Sequence, residues 1–249
     1  MEEKFSVIVQ YIGKLPYAKV HPVETYAQLS LLGINDVKHP RDLYKYDPFF
    51  LGKCAKTFIA KERIKLAAVG FGTGLPGGPV SMTGGALLDM EEYVRRIFIL
   101  AQKVGHTFGL IPIPFVELIP DTIEDYYDSV LEEILKAVLL GFGVAGISMG
   151  IAQMFKLIAE KEAKDIIKKK ISDKAVTELS KSVAKVIGKE VTKKSISRTV
   201  GRIVPLVGGG INALFAYFSL KKIGNNLINT MTREHIEVKP SVIEYWNNK

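Results

Sequence analysis

The sequence has few of the residues that usually form disulfides, metal centres or redox sites. Its 249 residues include one cysteine and one tryptophan. Cys54 has no partner for a disulfide within the chain and no CxxC spacing, which predicts a reducing compartment. The four histidines are scattered without metal-ligand spacing, so we expect no metal or cofactor and expect each to cap a helix or lie at the surface. They are His21, His39, His106 and His235.

A secretory signal is also missing. The first residues, MEEKFSVIVQYIGKLP, are acidic before a short apolar run and include no small-residue cleavage site. Together with the single cysteine, this predicts a cytoplasmic protein, or one bound in a peripheral or re-entrant manner at the cytoplasmic face of a membrane.

Positive charge is concentrated in one segment. Residues 156–202 contain 14 basic and 6 acidic residues, a balance of +8, whereas the remaining 20 basic and 20 acidic residues cancel. Apolar residues recur within the segment at helical spacing, which predicts an amphipathic helix with lysines on the opposite face. The lysines expected to face anionic lipid are Lys168, Lys169, Lys170, Lys174, Lys181, Lys185, Lys189, Lys193 and Lys194.

Three partners could neutralise this basic segment. An anionic membrane surface fits a basic amphipathic helix next to apolar sequence. A protein partner, or the acidic region between Lys103 and Lys136 of this chain, is the second possibility. Nucleic acid is not expected, because the segment has no aromatic residue between Phe155 and Phe215 for base stacking and contains no recognised nucleic-acid module.

The longest uncharged stretch, residues 66–88, has a glycine- and proline-rich centre and charged residues on both sides. Proline cannot continue a helix interior and glycine accepts the positive φ of a sharp reversal, so the stretch predicts two antiparallel apolar helices. The bend consists of Gly74, Leu75, Pro76, Gly77 and Gly78. Each arm would be about 15 Å long, half the thickness of a bilayer core.

Two further uncharged runs follow. Residues 137–155 comprise 19 residues between Lys136 and Lys156, about 28 Å as a continuous helix, close to the bilayer core of about 30 Å. Residues 203–220 comprise 18 residues and contain a second glycine break. That break consists of Pro205, Gly208, Gly209, Gly210 and Asn212.

Local signals place amphipathic helices around these runs. One helix is expected to open at His21 and to end at Gly33, and another to open at Asp47 with apolar periodicity through residues 51–59. The return helix, which has Glu91/Arg95 and Glu92/Arg96 at i,i+4 spacing, is expected to end at Gly105, and a capping box from Asp121 opens the next. Residues 110–120 are expected to be an extended linker, and residues 236–249 show no clear helix.

The predicted fold is therefore mainly α: a helical bundle built from glycine-broken apolar helical hairpins covered by amphipathic helices. Two arrangements satisfy the sequence. The hairpins either enter the cytoplasmic leaflet, or pack together as the core of a soluble bundle, because a buried helix can also be apolar all round.

Two motifs match catalytic patterns. Residues 72–77 read GxGxxG, but a dinucleotide fingerprint needs a preceding strand, and the charged lead-in continues a helical pattern. Residues 146–150 read GxSxG, with Ser148 as a candidate nucleophile and Asp165 or Asp173 and His235 in the order of a hydrolase triad. The apolar helices before it supply neither the strands nor the oxyanion loop, so Ser148 is better explained as a small residue at a helix contact.

One polar cluster adjoins the longest uncharged stretch. Asp89 and Arg96 are seven residues apart and share a helix face, and Arg95 lies beside them. A partly buried ion pair that fixes the register of the hairpin is one interpretation, and direct contact with a ligand or lipid head group is the other.

Several of these motifs resemble the EcsC family of bacterial proteins. The shared pattern is the Gly-Leu-Pro-Gly bend at residues 74–77, the acid Asp89, the arginine stretch leading to Gly105, and the glycine break after Pro205. The resemblance covers roughly residues 41–230, leaving an N-terminal segment, 1–40, and a C-terminal tail, 231–249. It implies no reaction, although the family's operon name suggests a link to transport or secretion.

We therefore expect a non-enzymatic, membrane-proximal protein that associates with anionic lipid or binds an apolar ligand between its hairpins. A serine hydrolase using Ser148 and a soluble protein-interaction scaffold are the alternatives.

Overall fold

The computed structural model describes residues 18–73, 85–143 and 208–249, which are mainly helical and contain no strand. The prediction of a mainly α fold is confirmed. Five α-helices and one 3-10 helix are used below. They are α1 (Pro22–Ser30), the 3-10 helix (Pro40–Lys45), α2 (Pro48–Thr73), α3 (Gly85–Thr107), α4 (Ile123–Gly141) and α5 (Gly208–Asn247).

Side-chain caps begin three of these helices where local sequence predicts them. The ring of His21 accepts from the amide of Val23 at the start of α1. Asp47 Oδ1 accepts from the amides of Phe49 and Phe50 at 2.5 and 3.2 Å. α4 differs by one residue, because Thr122 rather than Asp121 is the cap; its hydroxyl accepts from the Asp125 amide at 3.1 Å.

α2 and α3 pack side by side in opposite directions. Glu62 of α2 contacts Arg96 of α3, while Phe58, one turn earlier on α2, lies beside Lys103, two turns later on α3. The two helices therefore have the antiparallel arrangement expected for the arms of a hairpin. The predicted bend, residues 74–78, lies outside the described residues.

α5 is the second antiparallel neighbour of α2. Its residue Gly224 lies against Ile59, and further along the pair Tyr217 lies against Arg63. In the other direction, Ile228 lies against Gly52. The α2–α5 contact is the most extensive between helices among the described residues.

The predicted apolar stripes form the core. On α2, the residues of this stripe are all buried, and so are those of the α3 stripe. These are Leu51, Cys54, Ala55, Phe58 and Ile59 on α2, and Val94, Ile97, Phe98 and Ala101 on α3. Ala18 and Tyr26 near one end of the chain, and Val238 and Val242 near the other, belong to the same core.

The C-terminal residues correct one expectation. Residues 236–249 were predicted to have no clear helix, yet α5 continues to Asn247 with Pro240 inside it. Val238 and Val242 are buried against the core, and the indole N–H of Trp246 donates to the Pro114 carbonyl at 3.0 Å. This tertiary packing outweighs the low local helix propensity.

The uncharged run 137–155 is not one continuous helix. α4 ends at Gly141, and Gly143 has a φ of +71°, which an α-helix cannot contain. The side-chain amide of Asn226 donates to the Gly141 carbonyl at 3.1 Å, so α5 satisfies an acceptor at the end of α4. The prediction of one helix of bilayer length over residues 137–155 is therefore wrong, because the helix ends within the first residues of this run.

Among the described residues, no helix combines the length and the apolar character that crossing a bilayer requires.

Candidate functional site

A buried ionic cluster joins α2 to α3. Glu62 is fully buried, and its Oε2 accepts from Arg96 Nη1 at 2.9 Å while its Oε1 accepts from Lys103 Nζ at 2.9 Å. Glu92, also buried, accepts from Arg96 Nε at 2.5 Å and pairs with Arg95. Arg96 therefore bridges a carboxylate on each helix.

The charges of this cluster keep Glu62 ionised. Burial alone would raise the pKa of the Glu62 carboxyl, but Lys103, Arg96 and the half-exposed Lys65 lower it overall. A buried carboxylate with two cationic donors is a strong structural link, because removing one member leaves buried charge without compensation.

The predicted polar cluster is thus placed in part. Arg95 and Arg96 lie in this ionic cluster, whereas the side chain of Asp89 is outside the described residues. The sequence analysis missed Glu62 and Lys103. A usable signal was present, because Glu62 is four residues from both Phe58 and Leu66, in the middle of the buried stripe of α2.

His106 lies in the core and not at the surface, so its predicted role was wrong. Its Nδ1 is 2.9 Å from the Thr25 hydroxyl of α1, and its Nε2 is 2.7 Å from the Tyr126 hydroxyl of α4. Burial, with smaller effects from His21 and Lys103, lowers its pKa to about 3. The neutral imidazole therefore links three helices by hydrogen bonds.

His235 is a second buried imidazole that the sequence analysis misplaced. Its Nδ1–H donates to the Phe108 carbonyl at 2.8 Å, and its ring stacks on Tyr44 with the ring centroids 4.2 Å apart. Burial lowers its pKa to about 4 despite the opposing effect of that hydrogen bond. His21 and His39, by contrast, cap helices as expected.

Neither buried imidazole belongs to a metal centre that the described residues could form. No group of three or more histidine, cysteine, aspartate and glutamate side chains there has the arrangement of metal ligands. The hydrogen-bond partners of both rings are hydroxyl and carbonyl groups of packed elements, so their role in the described fold is to hold helices together.

Three helix termini lie at the same end of the bundle, which we call the distal end. α2 is antiparallel to both α3 and α5, so its last residue, Thr73, lies at the end where Gly85 and Gly208 begin the other two. α4 runs in the same direction but ends short of it: Tyr126 is level with His106, and Gly141 lies against Ile223 and Leu227 of α5, level with Ile59 in the middle of α2.

Exposed basic and apolar side chains of α2 and α5 form a band around the level of the contact between Arg63 and Tyr217, between the middle of α2 and the distal end. We call it the distal patch, and it consists of Lys61, Ile64, Lys65, Phe218, Lys221 and Lys222. Ile64 is 64% exposed and Phe218 is 59% exposed. The two helices are joined here by Arg63, whose Nε donates to the Tyr217 carbonyl at 2.9 Å and whose guanidinium lies 3.6 Å from the centroid of the Tyr217 ring.

Exposed charge is separated across the bundle. On α2 and on α5 as far as Arg233, every exposed charged side chain that the structure describes is basic, because the acids Glu62 and Glu234 are buried. On α4 the exposed charges described are acidic, at Glu124, Asp125 and Asp128. The part of the chain that is neutral in sequence therefore has a basic and an acidic side.

Several predicted site residues lie outside the described residues. They are the hairpin bend (Gly74, Leu75, Pro76, Gly77 and Gly78), Ser148, Pro205, and the lysines at 168–170, 174, 181, 185, 189, 193 and 194. Gly208, Gly209, Gly210 and Asn212 form the first turn of α5, and the side chain of Asn212 is not described.

Both catalytic motifs lack the strand that they require. α2 runs as a helix through Thr73 into residues 72–77, which rules out the strand of a dinucleotide fingerprint. α4 is helical through Gly141, where a nucleophile elbow at residues 146–150 would need the end of a strand.

Searches of protein-family models, of curated proteins and of solved structures find no match to this chain. The resemblance to the EcsC family therefore stays a prediction that rests on the motifs quoted above.

Proposed function

We propose that this is a non-enzymatic, membrane-proximal protein that associates with anionic lipid through the distal end of its helical bundle. The observation that carries the proposal is the convergence of helix termini at that end. Residues 74–84, which include the predicted bend, connect α2 to α3 there, and residues 144–207, which include the predicted lysine-rich segment, lead into the start of α5 there. Apolar and basic sequence would thus act on one side of the molecule.

The physical argument is that basic and apolar groups together favour the membrane interface. Apolar side chains gain free energy by leaving water, and each nearby lysine adds about 1 kcal/mol at an anionic surface. Beyond the distal patch, residues 66–73 of α2 carry no charge and extend about 12 Å. That length is compatible with entry into one leaflet of about 15 Å.

The other proposals have less support. A hydrolase using Ser148 lacks the preceding strand, since α4 is helical to Gly141. A soluble scaffold would explain the charge separation but assigns no role to the uncharged ends of α2 and α5 at the distal end. The link to transport or secretion follows only from the resemblance to the EcsC family, and the apolar ligand between the hairpins is expected only from their uncharged sequence.

Co-sedimentation with vesicles tests the proposal. We expect the protein to pellet with vesicles of phosphatidylcholine and phosphatidylserine at low salt, to bind less at 0.5 M salt, and to remain in the supernatant with phosphatidylcholine alone. Retention in the supernatant with anionic vesicles at low salt would favour the scaffold. Labelling by a serine-directed probe that Ser148→Ala abolishes would favour the hydrolase.

A further inference from the structure

We infer that the distal patch is itself an anionic-lipid contact, separate from the lysines predicted at residues 168–194. Lys61, Lys65, Lys221 and Lys222 would lie at the level of the head-group phosphates, with Ile64 and Phe218 entering the interface between them. This inference rests on the proposed function and names the surface that performs it. The net charge of the sequence does not reveal this patch, because outside residues 156–202 the basic and acidic residues are equal in number.

Charge complementarity is the first argument. The antiparallel contact between α2 and α5 brings lysines that are 160 residues apart in sequence to the same level of the bundle, since Ile59 lies against Gly224 and Arg63 against Tyr217. Of the four lysines, Lys65 pairs with Glu62, a carboxylate that also binds Arg96 and Lys103, and the other three form no ion pair within the described part of the chain. The surface therefore presents uncompensated positive charge.

The apolar members are the second argument. Ile64 and Phe218 are each more than half exposed; Lys65 follows Ile64 in sequence, and Lys221 and Lys222 lie about one turn from Phe218 on α5. A large apolar side chain within a basic surface is typical of proteins that bind at the boundary of head groups and acyl chains.

The contact between Arg63 and Tyr217 is the third argument. The stacked guanidinium and ring, with the hydrogen bond from Arg63 to the Tyr217 carbonyl, hold α2 and α5 together between the lysines. Tyrosine and arginine both suit the interface, because each combines an apolar body with a polar end. Uncharged residues 66–73 of α2 and 208–216 of α5 continue beyond this level, on the side expected to face the acyl chains.

The test compares two charge reversals of equal size. Lys61→Glu/Lys222→Glu changes the distal patch, and Lys38→Glu/Lys45→Glu changes two exposed lysines at the opposite end of the bundle. From about 1 kcal/mol per lysine, the distal variant should partition onto vesicles of phosphatidylcholine and phosphatidylserine at least roughly 25-fold less than wild type. The control should stay within about threefold of wild type. All four positions are exposed, and unchanged thermal melts will establish that both variants fold.

The apolar contribution has its own variant. Phe218→Ala/Ile64→Ala should also weaken vesicle binding, and its deficit should persist at 0.5 M salt, since apolar insertion is not screened. Equal binding by wild type, the distal variant and the control would overturn the inference while leaving the proposed function intact. Failure of the wild type to bind anionic vesicles would overturn both. If the distal variant lost binding to nucleic acid but bound vesicles like the wild type, the patch would belong to a different partner and the inference would be overturned.

Discussion

Glu62 is the residue on which the contact between α2 and α3 depends most. Its carboxylate is fully buried and accepts hydrogen bonds from Arg96 and Lys103, which are seven residues apart on α3. One carboxylate thus fixes two turns of the neighbouring helix. Burying these charges is unfavourable by itself, so the contribution of Glu62 lies in matching cations that would otherwise be buried alone.

Substitution of Glu62 by alanine is expected to lower the free energy of unfolding by about 3–5 kcal/mol, because the largely buried Lys103 and Arg96 both lose this carboxylate and Arg96 retains only Glu92. Urea denaturation followed by far-ultraviolet circular dichroism measures the change. Lys65→Ala is the matched control; it removes the half-exposed partner of the same carboxylate, and its effect should stay below about 1 kcal/mol. Equal effects of the two substitutions would contradict the assigned role of Glu62.

The buried histidines predict a pH dependence of stability. Folding lowers the pKa of His106 to about 3 and that of His235 to about 4, against an ordinary value of about 6.5. As the pH falls, both histidines are protonated in the unfolded chain before they are protonated in the folded protein. Their contribution to stability is therefore complete above pH 6.5 and is lost as the pH falls toward the two folded-state pKa values. Between pH 7 and pH 5, the free energy of unfolding should decrease by about 2 kcal/mol for each histidine.

Denaturation at pH 7, 6 and 5 measures this slope. His106→Gln and His235→Gln should each reduce it by about half, whereas His21→Gln should retain it because both buried rings remain. Glu62 adds a pH dependence in more acidic solution. Because folding lowers the pKa of its carboxyl, Glu62 stabilises the protein at pH values above the ordinary glutamate pKa, and this stabilisation is lost as the pH falls below that value. An unchanged slope in both buried-histidine variants would show that the two rings are not buried as neutral groups.

At the scale of elements, the close approach of α2 and α5 depends on glycine. A Cβ atom on Gly224 would lie 2.6 Å from Cδ1 and Cγ1 of Ile59, which is shorter than any ordinary contact. On the same interface, a Cβ atom on Gly52 would meet Ile228 Cγ2 at 3.4 Å, an ordinary van der Waals distance. The two glycines therefore have different roles although both lie inside helices.

These distances predict opposite effects for the same substitution. Gly224→Ala should lower the free energy of unfolding by about 1–3 kcal/mol through overpacking. Gly52→Ala should be neutral or stabilise by up to about 1 kcal/mol, because alanine favours a helix interior and the space is available. Thermal and urea denaturation of both variants test this, and stabilisation by Gly224→Ala would mean that α2 and α5 are further apart.

For the whole molecule, the charge separation and the distal end together predict an orientation on a membrane. Phe218 and Trp246 lie on the same helix, 28 residues apart, which is about 42 Å along the axis. Trp246 packs at the opposite end, against the Pro114 carbonyl, the His39 ring and Arg41. A bundle bound by its distal end would hold Trp246 far from the acyl chains.

Fluorescence quenching by brominated lipid can detect that orientation. On anionic vesicles, emission from the single tryptophan of the wild type should be unaffected by bromine in the acyl chains. In Phe218→Trp/Trp246→Phe, the tryptophan at position 218 should be quenched. Quenching of Trp246 in the bound wild type would contradict binding through the distal end, even where sedimentation shows that the protein binds lipid.

Local sequence determined the helices, because their causes lie within a few residues. The caps at His21 and Asp47 and the apolar stripes of α2 and α3 depend on helical periodicity and on hydrogen bonds to nearby amides. The sequence alone thus predicted a mainly helical chain. The GxGxxG and GxSxG motifs do not support a nucleotide or catalytic site, because helices precede them where the required strands would lie.

Tertiary structure decided where charged and titratable groups lie, because these depend on residues distant in sequence. Glu62 is buried through partners 34 and 41 residues away, and His235 through a carbonyl 127 residues away. Packing against the core also extends α5 to Asn247 and gives the end of α4 a donor from Asn226. Lysines of α2 and α5 lie at one level of the bundle only because these helices are antiparallel neighbours, a pairing that no local pattern specifies.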